Sequence, residues 1–227
     1  YQEDIKELAA HSTCKQSPSL LPAMFNNIEL GSPAEHVWVL GASLGGPDAV
    51  KELVKAHELG QPDNDVLPLL AQSYLALNDI KSLDSLNVDN LSGDAQATVL
   101  AAQGLSKLVR GNLKEAGELI EKALVATPES PFVMVAQAKL QGIMSNGNWA
   151  SVRPLIGRVI EIAPDYAPAW SLLGDIELHG LNPKAAEEAY SRALESDGTR
   201  LDDYYKRGLV RLQNENLSGA KEDAAVL

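Results

Sequence analysis

The chain has 227 residues, 45% hydrophobic and 22% charged, with a net charge of −12; this balance excludes wholesale disorder. An acidic chain of this kind lacks the positive face that a nucleic-acid ligand or an anionic membrane surface requires. Its single cysteine, Cys14, excludes an internal disulfide and a multi-cysteine zinc site.

No apolar run approaches the roughly 18 residues needed to span a bilayer. The chain opens on Tyr1 without Met, signal peptide or lipid-attachment motif, as expected of an internal piece of something longer. Residues 1–29 have no well-defined element. Asp4 to Ala10 suits a short helix, and Pro18 and Pro22 interrupt any helix beyond it. This stretch is expected to be irregular or draped on the first repeat.

Residues 36–55 read HVWVLGASLGGPDAVKELVK. Val37, Trp38, Val39 and Leu40 have the composition of a buried strand. Gly41, Ser43 and Gly45 fit the nucleophile-elbow pattern Gly-x-Ser-x-Gly, and the following residues look like the helix after it. The order suits a serine nucleophile, because a tight glycine turn exposes the hydroxyl and a helix N-terminus steadies an oxyanion. The string resembles the start of the catalytic domain of chemotaxis protein-glutamate methylesterases, where Gly-Ala-Ser-x-Gly-Gly-Pro carries the nucleophile. That resemblance implies Ser43 as the serine, with a histidine and an aspartate further along. No matching segment is found downstream. His57 falls on the adjoining helix and His179 inside a repeat, so a working triad is not expected.

Two readings of residues 30–62 stay open: a divergent first helical repeat, with Leu53 and Ala56 on its packing face, or a methylesterase-like remnant. Residues 47–59 are helical under both. Residues 34–44 lean only slightly to helix, because Val-Trp-Val with Gly41 is poor helix material.

From residue 63 the chain repeats. Ala71, Gly104, Ala138, Gly174 and Gly208, one small residue per predicted first helix, are separated by 33, 34, 36 and 34 positions. Leu83, Ala116, Val152, Ala186 and Ala220, one per second helix, are separated by 33, 36, 34 and 34. Two series with one period predict helix-turn-helix repeats that stack to bury their apolar faces. The period also runs backwards, since Val37 lies 34 before Ala71 and Ala49 lies 34 before Leu83. Turn signals fall mid-unit at Gly111-Asn112, Gly147-Asn148, Gly180 to Pro183 and Asn214 to Asn216. Pro128 and Pro164 end second helices.

Trp170, Leu173, Gly174, Ala186, Tyr190 and Ala193 occur in the order of the tetratricopeptide (TPR) pattern. So do Leu100, Gly104, Ala116, Ile120, Ala123 and Pro128, and again Tyr204, Gly208, Ala220 and Ala224. Residues 63–227 are thus similar to a TPR array of about five repeats. The resemblance implies an all-α, right-handed superhelical solenoid that binds a protein or peptide and does not catalyse. The pattern has departures. Gln103, Lys107, Gln137, Glu177, Arg207 and Arg211 stand where the family has apolar residues, Asn87 to Asn90 ends a second helix poorly, and the unit at 131–166 carries two extra residues near Ser145. These units are expected to be looser or to face something unusual, with simple divergence as the plainer reading.

First helices of this family line a concave groove. Carried over, the binding candidates are Gln72, Leu75, Leu105, Leu108, Phe132, Val135, Lys139, Asp175, Leu178, Tyr205, Leu209 and Leu212, with Ala101 and Ser171 beside them. The set is mostly apolar, which suits a helix or extended peptide with Leu-like anchors. The alternative is that these side chains pack on one another and leave no open groove. Chaperone-binding members hold a C-terminal carboxylate with Lys, Arg and Asn; only Lys139 could contribute here, so that clamp is not expected. The last helix keeps an apolar stripe of Leu217, Ala220, Ala224 and Leu227, which offers self-association or a further repeat.

Leu59-Gly60-Gln61-Pro62 with Val66-Leu67-Pro68-Leu69-Leu70-Ala71 after it is similar to the TPR lipoproteins of bacterial exopolysaccharide and surface-protein sorting systems, which implies a periplasmic or envelope setting. No nucleotide, calcium or zinc-protease motif occurs, and the four histidines are isolated. No cofactor or metal is expected. The functional expectation is a non-catalytic binding scaffold, with a Ser43 esterase or a purely structural spacer as the alternatives.

Overall fold

The computed structural model describes residues 46–227. The strand-like residues 37–40, the turn bearing Ser43 and everything assigned to residues 1–29 lie outside the described residues. Within them every regular element is helical, and the chain divides into two compact units between Leu140 and Gln141.

The first unit holds α1 (Gly46–Glu58), α2 (Asp63–Ala76), α3 (Ile80–Asp84), α4 (Gly93–Val109), α5 (Leu113–Ala126) and most of α6 (Pro131–Met144). In the second unit a 3-10 turn (Trp149–Val152) enters α7 (Arg153–Ile162). Then come α8 (Ala167–His179), α9 (Pro183–Ser196), α10 (Leu201–Gln213) and α11 (Leu217–Ala224).

One turn recurs at the middle of every repeat. The N–H groups of Asp79, Asn112, Gly147, Asn182 and Asn216 each donate to the carbonyl five residues back, at Tyr74, Lys107, Gly142, Glu177 and Arg211. The residue before each donor (Asn78, Gly111, Asn146, Leu181 and Glu215) has a positive φ. This left-handed closure satisfies carbonyls that a helix end leaves bare, and it reverses the chain so that the second helix returns along the first. Gly and Asn accept that backbone readily. Leu181 and Glu215 adopt it against their steric preference, held by the helix pair.

Small residues set the spacing of the pairs. A Cβ built on Gly104 would sit 2.7 Å from Ile120 Cγ1, and one on Gly174 would sit 2.5 Å from Tyr190 Cε1. In the repeat that starts at α6 the contact moves along the helix: the Trp149 ring occupies the space a side chain on Gly142 would need. The two extra residues lengthen the turn after α6 and let the indole enter there.

The first unit's core gathers Leu53, Val66, Leu70, Leu83, Leu91 and Val99 in one cluster and Leu100, Ile120, Val133 and Leu140 in another. Each such side chain removed from water contributes about 1.5–3 kcal/mol. Leu53 and Ala56 of α1 are 1% and 0% exposed, and α1 packs on α2. Helix α3 has only five residues, capped by the Asp79 carboxylate on the Ser82 N–H. Partly buried Leu86 and Val88 and buried Leu91, from the irregular stretch after it, pack where a longer helix would otherwise lie.

Candidate binding surface

The twelve residues carried over from the repeat pattern do not share one environment. In the first unit Leu105 and Leu108 are 9% and 6% exposed, and partly buried Leu75 and Phe132 pack against the same cluster. These four are brought together, but as a filled core and not as an open lining. Val135 is likewise interior, as is Ala101. Gln72 and Lys139 are exposed. The apolar part of the expected groove is therefore closed in this unit, because bulky residues on neighbouring first helices fill the space between them.

The second unit differs. Tyr205, Leu209 and Leu212 on α10 are 55%, 44% and 52% exposed. Leu201, one turn earlier and outside the sequence-derived set, is 53% exposed and extends the row. Its signal in the sequence was the spacing 201, 205, 209, 212, which keeps to one helix face. Leu178 on α8 packs against the Ala186, Tyr190 and Val210 cluster. In the last helix Ala220 is buried and Leu217 is exposed, as is Leu227 beyond the helix end.

Beside the exposed row lies a polar network. Asp175 accepts from the Tyr190 hydroxyl at 2.7 Å and pairs with the Lys206 ammonium at 3.1 Å; Lys206 also reaches Asp202 at 3.0 Å. Burial alone would lower the Lys206 pKa, but Asp175 and Asp202 together outweigh it and hold the ammonium above the ordinary lysine range. Burial, reinforced by the Asp175 carboxylate, pushes the Tyr190 phenol up. Ser171, expected beside the groove, is buried and donates to fully buried Asp203 at 2.5 Å. Arg200 also bonds Asp203.

Five of the six polar residues that depart from the family pattern are cross-links between helices. Gln103 donates to the carbonyls of Leu83 and Leu86, both at 3.1 Å, and so closes the end of truncated α3. Lys107 pairs with Asp84 at 3.1 Å. Buried Glu177 lies 2.6 Å from an Arg153 guanidinium nitrogen and accepts from Asn182 at 3.2 Å. Arg207 reaches Asp223 at 2.5 Å, and Arg211 bridges Glu187 and Asp223, each at 3.0 Å. Asn214 adds a bond to Glu187 at 2.8 Å. Burial works to raise the Glu187 pKa, yet these bonds prevail and hold it below the usual carboxylate range. A matching signal did exist: each misplaced cation has an acid on a nearby second helix.

Among the described residues, no group of three or more His, Cys, Asp or Glu comes together to hold a metal, and no helix is long and apolar enough to cross a membrane.

Helix pairs joined by one recurrent turn, with small residues at their contacts, define an all-α solenoid of the tetratricopeptide type. No family model matches the chain. Over 110 residues it is 28% identical to the heat-shock protein cognate (HSC) co-chaperone sgt12 of Aspergillus fumigatus, a match covering 48% of this chain and 32% of that protein. The chain thus spans about a third of that relative's length. The human IFIT1 dimer with PPP-AAAA superposes with a TM-score of 0.63 at 17% identity, over 97% of this chain and 56% of that one. The APC/C hetero-tetramer Cut9–Hcn1 superposes with a TM-score of 0.55 at 13% identity, over 98% of this chain and 41% of that one. The chain spans about half the length of these solved structures, and the likeness is one of fold.

Proposed function

We propose that this chain is a non-catalytic protein-binding scaffold, whose helix α10 presents apolar side chains to a protein or peptide. The observation that carries this reading is the exposed row on α10, a row of large apolar residues that folding leaves uncovered. A partner that buries Tyr205, Leu209 and Leu212 gains the affinity that central aromatic and aliphatic anchors supply. The co-chaperone relative fits a protein-binding role. The resemblance at Leu59 to Ala71 adds an envelope setting, which cell fractionation checks.

The test is photo-cross-linking in cells from an unnatural residue at Tyr205, with Val125 on α5 as an exposed control position. A discrete protein adduct from position 205 alone is expected; its absence sinks the scaffold reading. Fluorophosphonate labelling of the purified chain that disappears in Ser43→Ala would overturn the non-catalytic part.

A further inference from the structure

Helix α10 is packed inside out. At 3.6 residues per turn Leu201, Tyr205, Leu209 and Leu212 fall within an arc of about 80°, and all four are exposed. The opposite arc holds Asp203, Arg207, Val210 and Asn214. Asp203 and Val210 are fully buried, the Arg207 side chain is 14% exposed, and Asn214 is bonded to Glu187. Apart from Val210, the helix therefore spends polar side chains on the fold and turns its large apolar side chains outward, the reverse of an ordinary surface helix.

The reversal also decides the charge beside the stripe. Arg207 and Arg211 are consumed by Asp223 and Glu187 on the inner side. On the flank toward α8, two carboxylates (Asp175 and Asp202) meet one ammonium (Lys206), leaving a net charge of −1. The whole chain carries −12. A second copy of so acidic a chain is repelled as it approaches, whereas a basic segment is drawn in.

We infer that the α10 stripe is a docking site for an amphipathic helical segment of a partner, with apolar residues at i, i+4 and i+7 and Lys or Arg along its flanks. This rests on the scaffold reading and names the partner's chemistry. The apolar anchors lie along the stripe in the manner of a helix laid on a hydrophobic face, and the flanking cations meet Asp175 and Asp202.

The test uses the purified full chain and three fluorescein-labelled synthetic helices. One carries Leu at helical spacing with Lys elsewhere, the second replaces Lys by Glu, and the third scrambles the Leu spacing of the first. Fluorescence anisotropy should show saturable binding of the first only. Leu209→Asp and, separately, Tyr205→Ser should each weaken it about tenfold or more, as loss of a central anchor does, with helicity by circular dichroism unchanged. Val125→Asp should leave it intact, and added salt should weaken it through screening. Equal binding of the Glu or scrambled helix, or no response to either α10 variant, overturns the inference. A benzoylphenylalanine at position 205 identifies the occupant by adduct mass. A chain-plus-helix adduct supports the inference, and a two-chain or intramolecular product refutes it. If cells yield a protein adduct at position 205 but the Lys helix does not bind, the partner chemistry is wrong and the scaffold reading stands.

Discussion

Gly174 and Gly208 occupy the same place in successive repeats, yet the structure distinguishes them. A Cβ on Gly174 would meet the ring of fully buried Tyr190 at 2.5 Å. That ring cannot retreat, because Asp175 holds its hydroxyl. A Cβ on Gly208 would meet Asp223 Cβ at 3.5 Å, an ordinary contact. Gly174→Ala should therefore cost about 1–3 kcal/mol through overpacking. Gly208→Ala should be neutral or stabilise by up to about 1 kcal/mol through helix propensity. Urea midpoints of the two variants check the contrast; equal losses would show that spacing is not what the glycines provide.

Glu187 supplies a residue-scale prediction in pH. Its folded pKa lies below the unfolded one, so its contribution is complete above the ordinary glutamate value of about 4.3 and is lost as pH falls through the folded value. Glu187→Gln should accordingly be less stable than the parent at pH 7, and the gap should close on acidification below about pH 4. Urea denaturation at both pH values measures it; a gap that widens at low pH contradicts the assignment.

At the scale of the element, α3 shows how a repeat survives the loss of most of a helix. The chain leaves the helix after Asp84, and Gln103 then collects the carbonyls of Leu83 and Leu86. Leu86, Val88 and Leu91 restore the apolar contacts. Gln103→Met keeps the volume and removes the donor, leaving two carbonyls without it. A loss of about 1–3 kcal/mol is expected, with faster amide exchange confined to residues 83–91. Uniform acceleration along the chain would mean that Gln103 acts through the core and not through this turn.

At the scale of the molecule, repeat arrays are stabilised mainly by neighbour contacts, so damage stays local. Asp223 is buried between Arg207 and Arg211 and latches α11 to α10. Asp223→Ala strands Arg207 and leaves Arg211 with Glu187 alone, at a cost of roughly 3–5 kcal/mol. Trp149 and Trp170 both belong to the second unit. In an Asp223→Ala, Trp38→Phe background, the urea midpoint read by tryptophan fluorescence should therefore fall below the midpoint of the whole-chain circular-dichroism signal. Coincident transitions would show that the two units unfold as one.

The helical class, the repeat and its turns, and the close contacts at Gly104 and Gly174 were legible in the sequence alone. Each is written locally, in a turn residue or a missing Cβ, and then written again at a period near 34. The extra residues around Ser145 were visible too, though not the Trp149 ring that uses them. What only the tertiary structure decided is which face of each helix is covered. Leu105, Leu108 and Val135 look like groove residues by position, yet neighbouring side chains close over them. Tyr205, Leu209 and Leu212 hold equivalent positions and stay open. Periodicity reveals that a helix has an apolar face but not which way it turns. For α10 that choice belongs to Asp223 and Glu187, whose pairing with Arg207 and Arg211 draws the polar side inward.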